Sequence, residues 1–128
     1  MSSSMEHFRQ QVYFWVNQIP KGKVTSYGYI AKLAGFPRHA RHVSKALGAA
    51  PDRKHLPWQR VIGANGKIAF NPDSDHYAIQ ENLLAKEGVI VKKGKIDFKQ
   101  FGWEHQLEAQ AHQSKQNSKN IDAEDFFK

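Results

Sequence analysis

Cysteine is absent from this chain of 128 residues. Disulfides, thiolate nucleophiles and cysteine-ligated zinc sites are therefore excluded. No apolar run approaches the roughly 18 residues that cross a bilayer, and the opening MSSSME lacks the basic and apolar regions of a signal peptide. We therefore expect a cytoplasmic protein without a membrane partner. With 40% hydrophobic and 24% charged residues, the chain can form one globular domain with a substantial core.

Acidic residues are scarce in most of the chain. Residues 1–103 contain 16 basic and seven acidic residues, whereas residues 104–128 contain three lysines and five acidic residues. The resulting balance of +9 over residues 1–103 attracts polyanions, with nucleic acid as the leading candidate. A generic solubilising surface has the same charge, so charge alone does not define the partner. We expect a folded domain over 1–103, then a polar tail over 104–128 with a short helix near 104–111 followed by disorder.

Apolar residues recur at helical spacing in four segments. They predict helices over residues 4–18, 27–34, 39–49 and 76–87. Ser26 is a suitable N-cap for the second helix. Because a short turn containing Gly35 joins the second and third helices, this pair has the helix-turn-helix pattern, in which the later helix is usually offered to DNA.

Two predicted β-hairpins follow the helix-turn-helix. The first is centred on Asn65-Gly66, the strongest two-residue hairpin signal in the sequence, with strands over 58–62 and 67–70. The second joins 89–91 to 96–98. The sequence therefore predicts a mainly α fold with a small β-wing, that is, a winged helix-turn-helix.

Four sequence motifs resemble one family of DNA-binding domains. They are GKVTSYGYIAKLAG at 22–35, ARHV at 40–43, PWQRVI at 57–62 and LLAKEG at 83–88. In this order and spacing, over about residues 6–92, they resemble the O6-alkylguanine-DNA alkyltransferases. In those enzymes the proline is followed by Cys-His, and the cysteine accepts the alkyl group irreversibly. Trp58 and Gln59 stand there in this chain, and tryptophan at that position is typical of alkyltransferase-like proteins.

The resemblance implies a binding protein and not an enzyme. Alkyltransferase-like proteins bind O6-alkylguanine in duplex DNA by base flipping and do not remove the alkyl group. An indole is not a useful nucleophile, and the amide of Gln59 cannot relay a proton as a histidine would. The resemblance further implies that the persistent complex flags the lesion to nucleotide excision repair damage-recognition proteins. We also expect a monomer without cofactor or metal.

The candidate site residues each have a structural alternative. Trp58 by default belongs to a core, but its place after Pro57 favours a pocket wall, where a stacked base contributes roughly 1–3 kcal/mol. The resemblance places Tyr27 in the same lesion pocket. We expect Pro57 and Val61, which share a motif with Trp58, to line it as well. It makes Arg41, otherwise a solvated charge, the intercalating finger that fills the space of the flipped base. The candidate DNA-backbone contacts are Ser26, Lys45, Arg60 and Lys67, of which Arg60 is largely structural in the family.

The same residues allow two other functions, a transcriptional regulator and a glycosylase. A winged-helix transcriptional regulator that binds undamaged DNA would need a dimerisation element and groove-reading polar side chains, and neither is evident. A glycosylase would need a placed carboxylate, for which Glu87 is the candidate. His39 and His42 have the spacing of a metal pair but are more typical of surface residues. Ala50 replaces an asparagine that braces the neighbouring turn in the transferases, which leaves the setting of the loop at 53–56 open.

Overall fold

The structure, a computed structural model, describes residues 2–50 and 55–103. This part of the chain forms five α-helices, a two-stranded sheet and one 3-10 helix. The elements are α1 (Ser2–Gln18), β1 (Thr25–Ser26), α2 (Tyr27–Leu33), α3 (Ala40–Gly48), the 3-10 helix Trp58–Arg60, β2 (Val61–Ile62), α4 (Asp75–Lys86) and α5 (Phe98–Phe101). None of these helices is long and apolar enough to cross a membrane. The predictions for residues 104–128 lie outside the described residues.

The first three helices pack around one hydrophobic core. On α1 the buried residues Phe8, Val12 and Val16 repeat at helical spacing, and they meet the inner faces of α2 and α3. The Ser26 hydroxyl accepts a hydrogen bond from the Tyr29 amide at 3.1 Å and so caps α2. The turn to α3 passes through Gly35 with φ of +89°, a conformation that favours glycine. The predicted helix-turn-helix is therefore confirmed.

The predicted first hairpin is wrong in its pairing, although the fold class is confirmed. A tight turn does form at Asn65-Gly66, closed by the Gly63 amide on the Lys67 carbonyl at 2.8 Å. Its first arm begins as a 3-10 helix, and β2 pairs in parallel with β1, with Val61 opposite Thr25. The second arm instead bridges Lys67 to Lys95. The reason is burial, because both residues of β2 are fully buried and pair with a strand far away in sequence.

The predicted second hairpin is reduced to one tight turn. Lys92 and Lys95 form an antiparallel bridge across Lys93 and Gly94, both at positive φ. The strand predicted over 96–98 is wrong at its end, because Phe98 begins α5. Here the Asp97 side chain accepts a hydrogen bond from the Lys99 amide at 2.9 Å and caps this short helix. The segment closes a second hydrophobic cluster, whose buried members are Val24, Ile62, Ile68, Leu84, Val89 and Ile96.

Candidate functional site

A cavity of about 230 Å³ lies where the start of α2, the end of α3 and the 3-10 helix meet. Its walls come from parts of the chain that are far apart in sequence, and they include both Tyr27 and Trp58. We call it the aromatic pocket. Its lining residues are Tyr27, Ser44, Leu47, Gly48, Trp58, Phe70 and His76. The chain thus brings together the two aromatic residues that the sequence placed in a lesion pocket.

Aromatic rings dominate one side of the aromatic pocket. The Trp58 ring meets Phe70 edge-on at 6.1 Å between centroids, and His76 stacks on Phe70 at 5.2 Å. Burial raises the pKa of the Tyr27 hydroxyl, which therefore stays protonated at neutral pH and can donate a hydrogen bond. Flat apolar walls with a few polar groups suit a planar, partly polar ring such as a nucleobase.

Trp58 also separates the aromatic pocket from a second cavity of about 520 Å³. Trp58 and His76 line both spaces, so the two cavities share a wall. Pro57 lines only the second cavity. The indole is half-buried, since both of these spaces lie beside it. A side chain in this position is a pocket wall more than a core residue.

Hydrogen bonds to Glu87 hold the 3-10 helix that carries Trp58. The Glu87 carboxylate accepts bonds from the Gly22 amide at 2.9 Å, Gln59 Nε2 at 2.7 Å and Arg60 Nε at 2.9 Å. Arg60 Nη1 also donates to the Ile19 carbonyl at 2.8 Å, at the end of α1. Burial pushes the pKa of Glu87 upward, but the bonds from Gly22, Arg60 and Gln59 outweigh burial and leave this pKa lowered. The Glu87 carboxylate is thus ionised, and both of its oxygens accept hydrogen bonds.

Gln80 on α4 fixes the same segment from the other side. Its Nε2 donates to the carbonyls of Gln59 at 2.9 Å and Val61 at 3.0 Å, and the side chain is fully buried. Sequence reasoning missed this residue. A glutamine on the inner face of a helix is a signal of a buried hydrogen bond, but it does not reveal the partner.

The remaining predicted residues lie in different environments. Arg41, Lys45 and Lys67 are exposed, as DNA contacts must be. Ser26 is buried with its hydroxyl engaged as a cap, and Val61 is fully buried and lines neither cavity. The DNA roles of these residues stay predictions. Arg60 lies in the Glu87 network, the kind of position that the resemblance implies for a structural arginine.

Sequence reasoning also missed five residues of the aromatic pocket. Three of them, Ser44, Leu47 and Gly48, share one face of α3, and their spacing of three and four residues was a usable signal. Phe70 and His76 reach the pocket only through tertiary packing. The rings of His39 and His42 lie 5.3 Å apart on the surface, and within residues 2–50 and 55–103 no group of three potential ligands could hold a metal ion.

The fold and the site together define a class of small helical domain, in which a helix-turn-helix carries an aromatic pocket behind its second helix. The chain belongs to the family described as 6-O-methylguanine DNA methyltransferase, DNA binding domain, whose model matches residues 7–89. The resemblance seen in the sequence motifs is therefore confirmed.

Individual relatives and solved structures agree with this assignment. A DNA base-flipping protein of Vibrio parahaemolyticus is 46% identical over 102 residues, which cover 78% of this chain and 99% of that protein. Alkyltransferase-like protein 1 of Schizosaccharomyces pombe is 39% identical over 87 residues, covering 68% and 81%. The crystal structure of S. pombe Atl1 in complex with damaged DNA containing O6-carboxymethylguanine matches with a TM-score of 0.70 and 34% identity, over 77% of this chain and 95% of that one.

Proposed function

We propose that this protein binds O6-alkylguanine in duplex DNA, turns the base into the aromatic pocket and leaves the alkyl group in place. The observation that carries the proposal is Trp58, which forms a wall of that pocket. The resemblance of the motifs implies that Trp58 stands at the position of the transferase cysteine. The chain contains no cysteine that could take over the nucleophile's role. Similarity to a DNA base-flipping protein and to Atl1 bound to damaged DNA supports the proposal.

Selectivity for the lesion has two physical sources. Alkylation at O6 weakens base pairing, so that extruding the damaged base costs less than the few kcal/mol needed for guanine. Inside the pocket, the base and its alkyl group gain stacking and apolar contact with Trp58 and Phe70, whose rings meet edge-on. The protonated Tyr27 hydroxyl is a donor for the flipped nucleotide.

The exposed side of α3 is the surface we propose for DNA. Arg41 and Lys45 lie there, one helical turn apart, on the helix whose Ser44, Leu47 and Gly48 line the aromatic pocket. Arg41 takes the place of the extruded base, because a guanidinium plane can stack on the neighbouring bases while it donates hydrogen bonds.

A complex of this kind can act only by remaining bound to the damaged base. A protein that holds the lesion without chemistry changes nothing in the DNA, so repair must come from elsewhere. We propose that the monomeric protein, in the cytoplasm, marks the lesion for nucleotide excision repair damage-recognition proteins.

Affinity for matched duplexes tests the proposal directly. Two duplexes that differ only by O6-methylguanine in place of guanine are titrated with the protein in gel-shift assays. We expect at least about tenfold tighter binding to the damaged duplex, which corresponds to about 1.4 kcal/mol of pairing and stacking difference. Equal affinity for the two duplexes would refute lesion recognition, and tight binding to one undamaged sequence would indicate a transcriptional regulator.

Salt dependence reports how much of the binding is electrostatic. The balance of +9 over residues 1–103 predicts several phosphate contacts. Because each neutralised phosphate adds about 0.9 to the slope of log K against log salt, four contacts weaken binding about a hundredfold between 50 and 200 mM salt. Fluorescence anisotropy across this range measures the slope. A flat plot would show that the basic surface does not face DNA.

Substitution of Arg41 distinguishes an intercalating finger from a phosphate contact. We expect Arg41→Ala to weaken binding to the damaged duplex by roughly 1–3 kcal/mol, because stacking is lost together with a charge. Lys45→Ala is the matched control on the same helix and should mainly reduce the salt slope by about 1. If both variants lose the same affinity and the same slope, Arg41 is an ordinary phosphate contact.

A further inference from the structure

A third depression, of about 480 Å³, lies away from the aromatic pocket and shares no residue with it. It is formed by the turn at 92–95 and the short helix α5. We call it the lysine groove. Its lining residues are Ile90, Lys92, Lys95, Ile96, Asp97, Gln100 and Phe101. The proposed DNA-lesion function uses none of them.

The lysine groove combines an apolar floor with a basic rim. Ile90 is 51% exposed although it lies next to the buried Ile96 and the half-buried Phe101. Lys92 and Lys95 are both exposed at the edge. Asp97 also lines the groove, but its side chain already caps α5 by accepting the Lys99 amide. An occupant suited to this surface presents aromatic or aliphatic side chains next to carboxylates.

Such a segment exists in this chain. Residues 121–127 read IDAEDFF, with three acidic residues followed by two phenylalanines. This segment holds three of the five acidic residues that follow residue 103, although it is only seven residues long. We propose that the lysine groove is the docking site of this segment, with Phe126 and Phe127 on the apolar floor and the carboxylates on the lysine rim.

The chain between the two parts is long enough for this contact. The described fold ends at Trp103, two residues after Phe101 of the groove. With the predicted helix over 104–111 and the rest extended, the 17 residues of 104–120 span about 42 Å, more than the distance across a small domain. Attachment to the same chain also gives the segment a local concentration in the millimolar range, so a weak contact is sufficient.

Because the chain has no cysteine, two introduced cysteines can form only one disulfide within the chain. In the full chain, Gln100→Cys and Lys128→Cys place one thiol beside the groove and one beside the segment. Ile79→Cys with Lys128→Cys is the control pair, because Ile79 is 47% exposed and lines the separate cavity next to Trp58. Each pair is equilibrated with reduced and oxidised glutathione, and the disulfide fraction within one chain gives the effective concentration of the two thiols.

Docking predicts different responses of the two pairs. Phe126→Ser with Phe127→Ser should lower the effective concentration of the groove pair about tenfold and change the control pair by less than about twofold. Lys92→Glu with Lys95→Glu should lower the effective concentration of the groove pair by a similar factor. Adding Glu124→Lys with Asp125→Lys, which reverses the charges on both sides, should restore this effective concentration. Equal responses of the two pairs, or none, would overturn the proposal. Disulfides that form between chains instead of within one would show that a second copy occupies the groove.

Discussion

Replacing Glu87 with alanine should lower the free energy of unfolding by about 3 kcal/mol, near the lower limit for breaking a buried ion pair. The substitution removes the only carboxylate on Arg60 within the described part of the chain and takes away the acceptor of Gln59 and of the Gly22 amide. The side chains of Arg60 and Glu87 are 17% and 6% exposed, so water replaces the lost bonds poorly. Urea unfolding should show a midpoint about 2 M lower, for a slope of about 1.5 kcal/mol/M.

Glu81→Ala, on α4, which ends immediately before Glu87, is the matched control and should change stability by less than about 0.5 kcal/mol. Dependence on pH adds a second readout. Because the folded-state pKa of Glu87 is lowered from 4.5, its stabilisation is complete above pH 4.5 and is lost as the pH falls through the folded-state value. Glu87→Gln should remove this acid-sensitive part. If Glu87→Ala unfolds at the same urea concentration as Glu81→Ala, the network does not stabilise the fold.

The sequence predicted the helices well because their signals are local. Buried positions on α1 repeat every three or four residues, and Ser26 caps α2 through the amide of Tyr29, only three residues away. The prediction of the strand pairing was wrong because that pairing depends on residues far apart in sequence. Asn65-Gly66 forms its tight turn as predicted, but a turn signal does not specify which strand lies beside Val61, and the actual partner, Thr25, is 36 residues earlier.

The candidate site shows the same division. The motifs placed Tyr27 and Trp58 in one pocket, and the structure brings both to its wall. No local pattern links Trp58 to Phe70 or His76, because these residues line one cavity only once the chain is folded. Phe70 precedes α4, and His76 lies in its first turn. Val61 was predicted in the pocket because it shares a motif with Trp58, but the structure buries it fully and it lines neither cavity. Membership of a motif therefore does not by itself place a residue in the pocket.

Gln59, next to Trp58, is held in place by Glu87 and provides no acid or base. Its amide donates to Glu87 at 2.7 Å, while the carboxylate also accepts Arg60 and the Gly22 amide. An amide is neither an acid nor a base near neutral pH, so these contacts hold Trp58 in place without supplying a group that could activate a nucleophile. The network positions the 3-10 helix that carries Trp58. Three donors already bond to the Glu87 carboxylate, so a glycosylase role for Glu87 is unsupported.

Trp58→Cys should therefore give little or no transfer of a labelled methyl group from DNA to protein. In the transfer, sulfur bonds to the methyl carbon, the carbon–O6 bond breaks, and the released guanine takes up a proton. A bare thiol with a pKa of about 8.5 is mostly protonated at neutral pH, and Gln59 provides no base. A displacement of 1 Å between sulfur and carbon can cost about a hundredfold in rate. The variant should also bind the lesion more weakly, because the indole that we propose to stack on the flipped base is lost.

The double variant Trp58→Cys, Gln59→His is the decisive comparison. In the present chain Glu87 accepts a hydrogen bond from Gln59 Nε2 at 2.7 Å. A histidine at 59 can donate one ring N–H to the same carboxylate, and its other ring nitrogen is then free to take the thiol proton. We expect the double variant to label at least about tenfold faster than the single variant, at the low end for an added general base. Gln59→His alone is the control and should remain unlabelled, because it contains no thiol. Efficient labelling of the single variant would show that the pocket has stayed competent for transfer and that Trp58 merely blocks it.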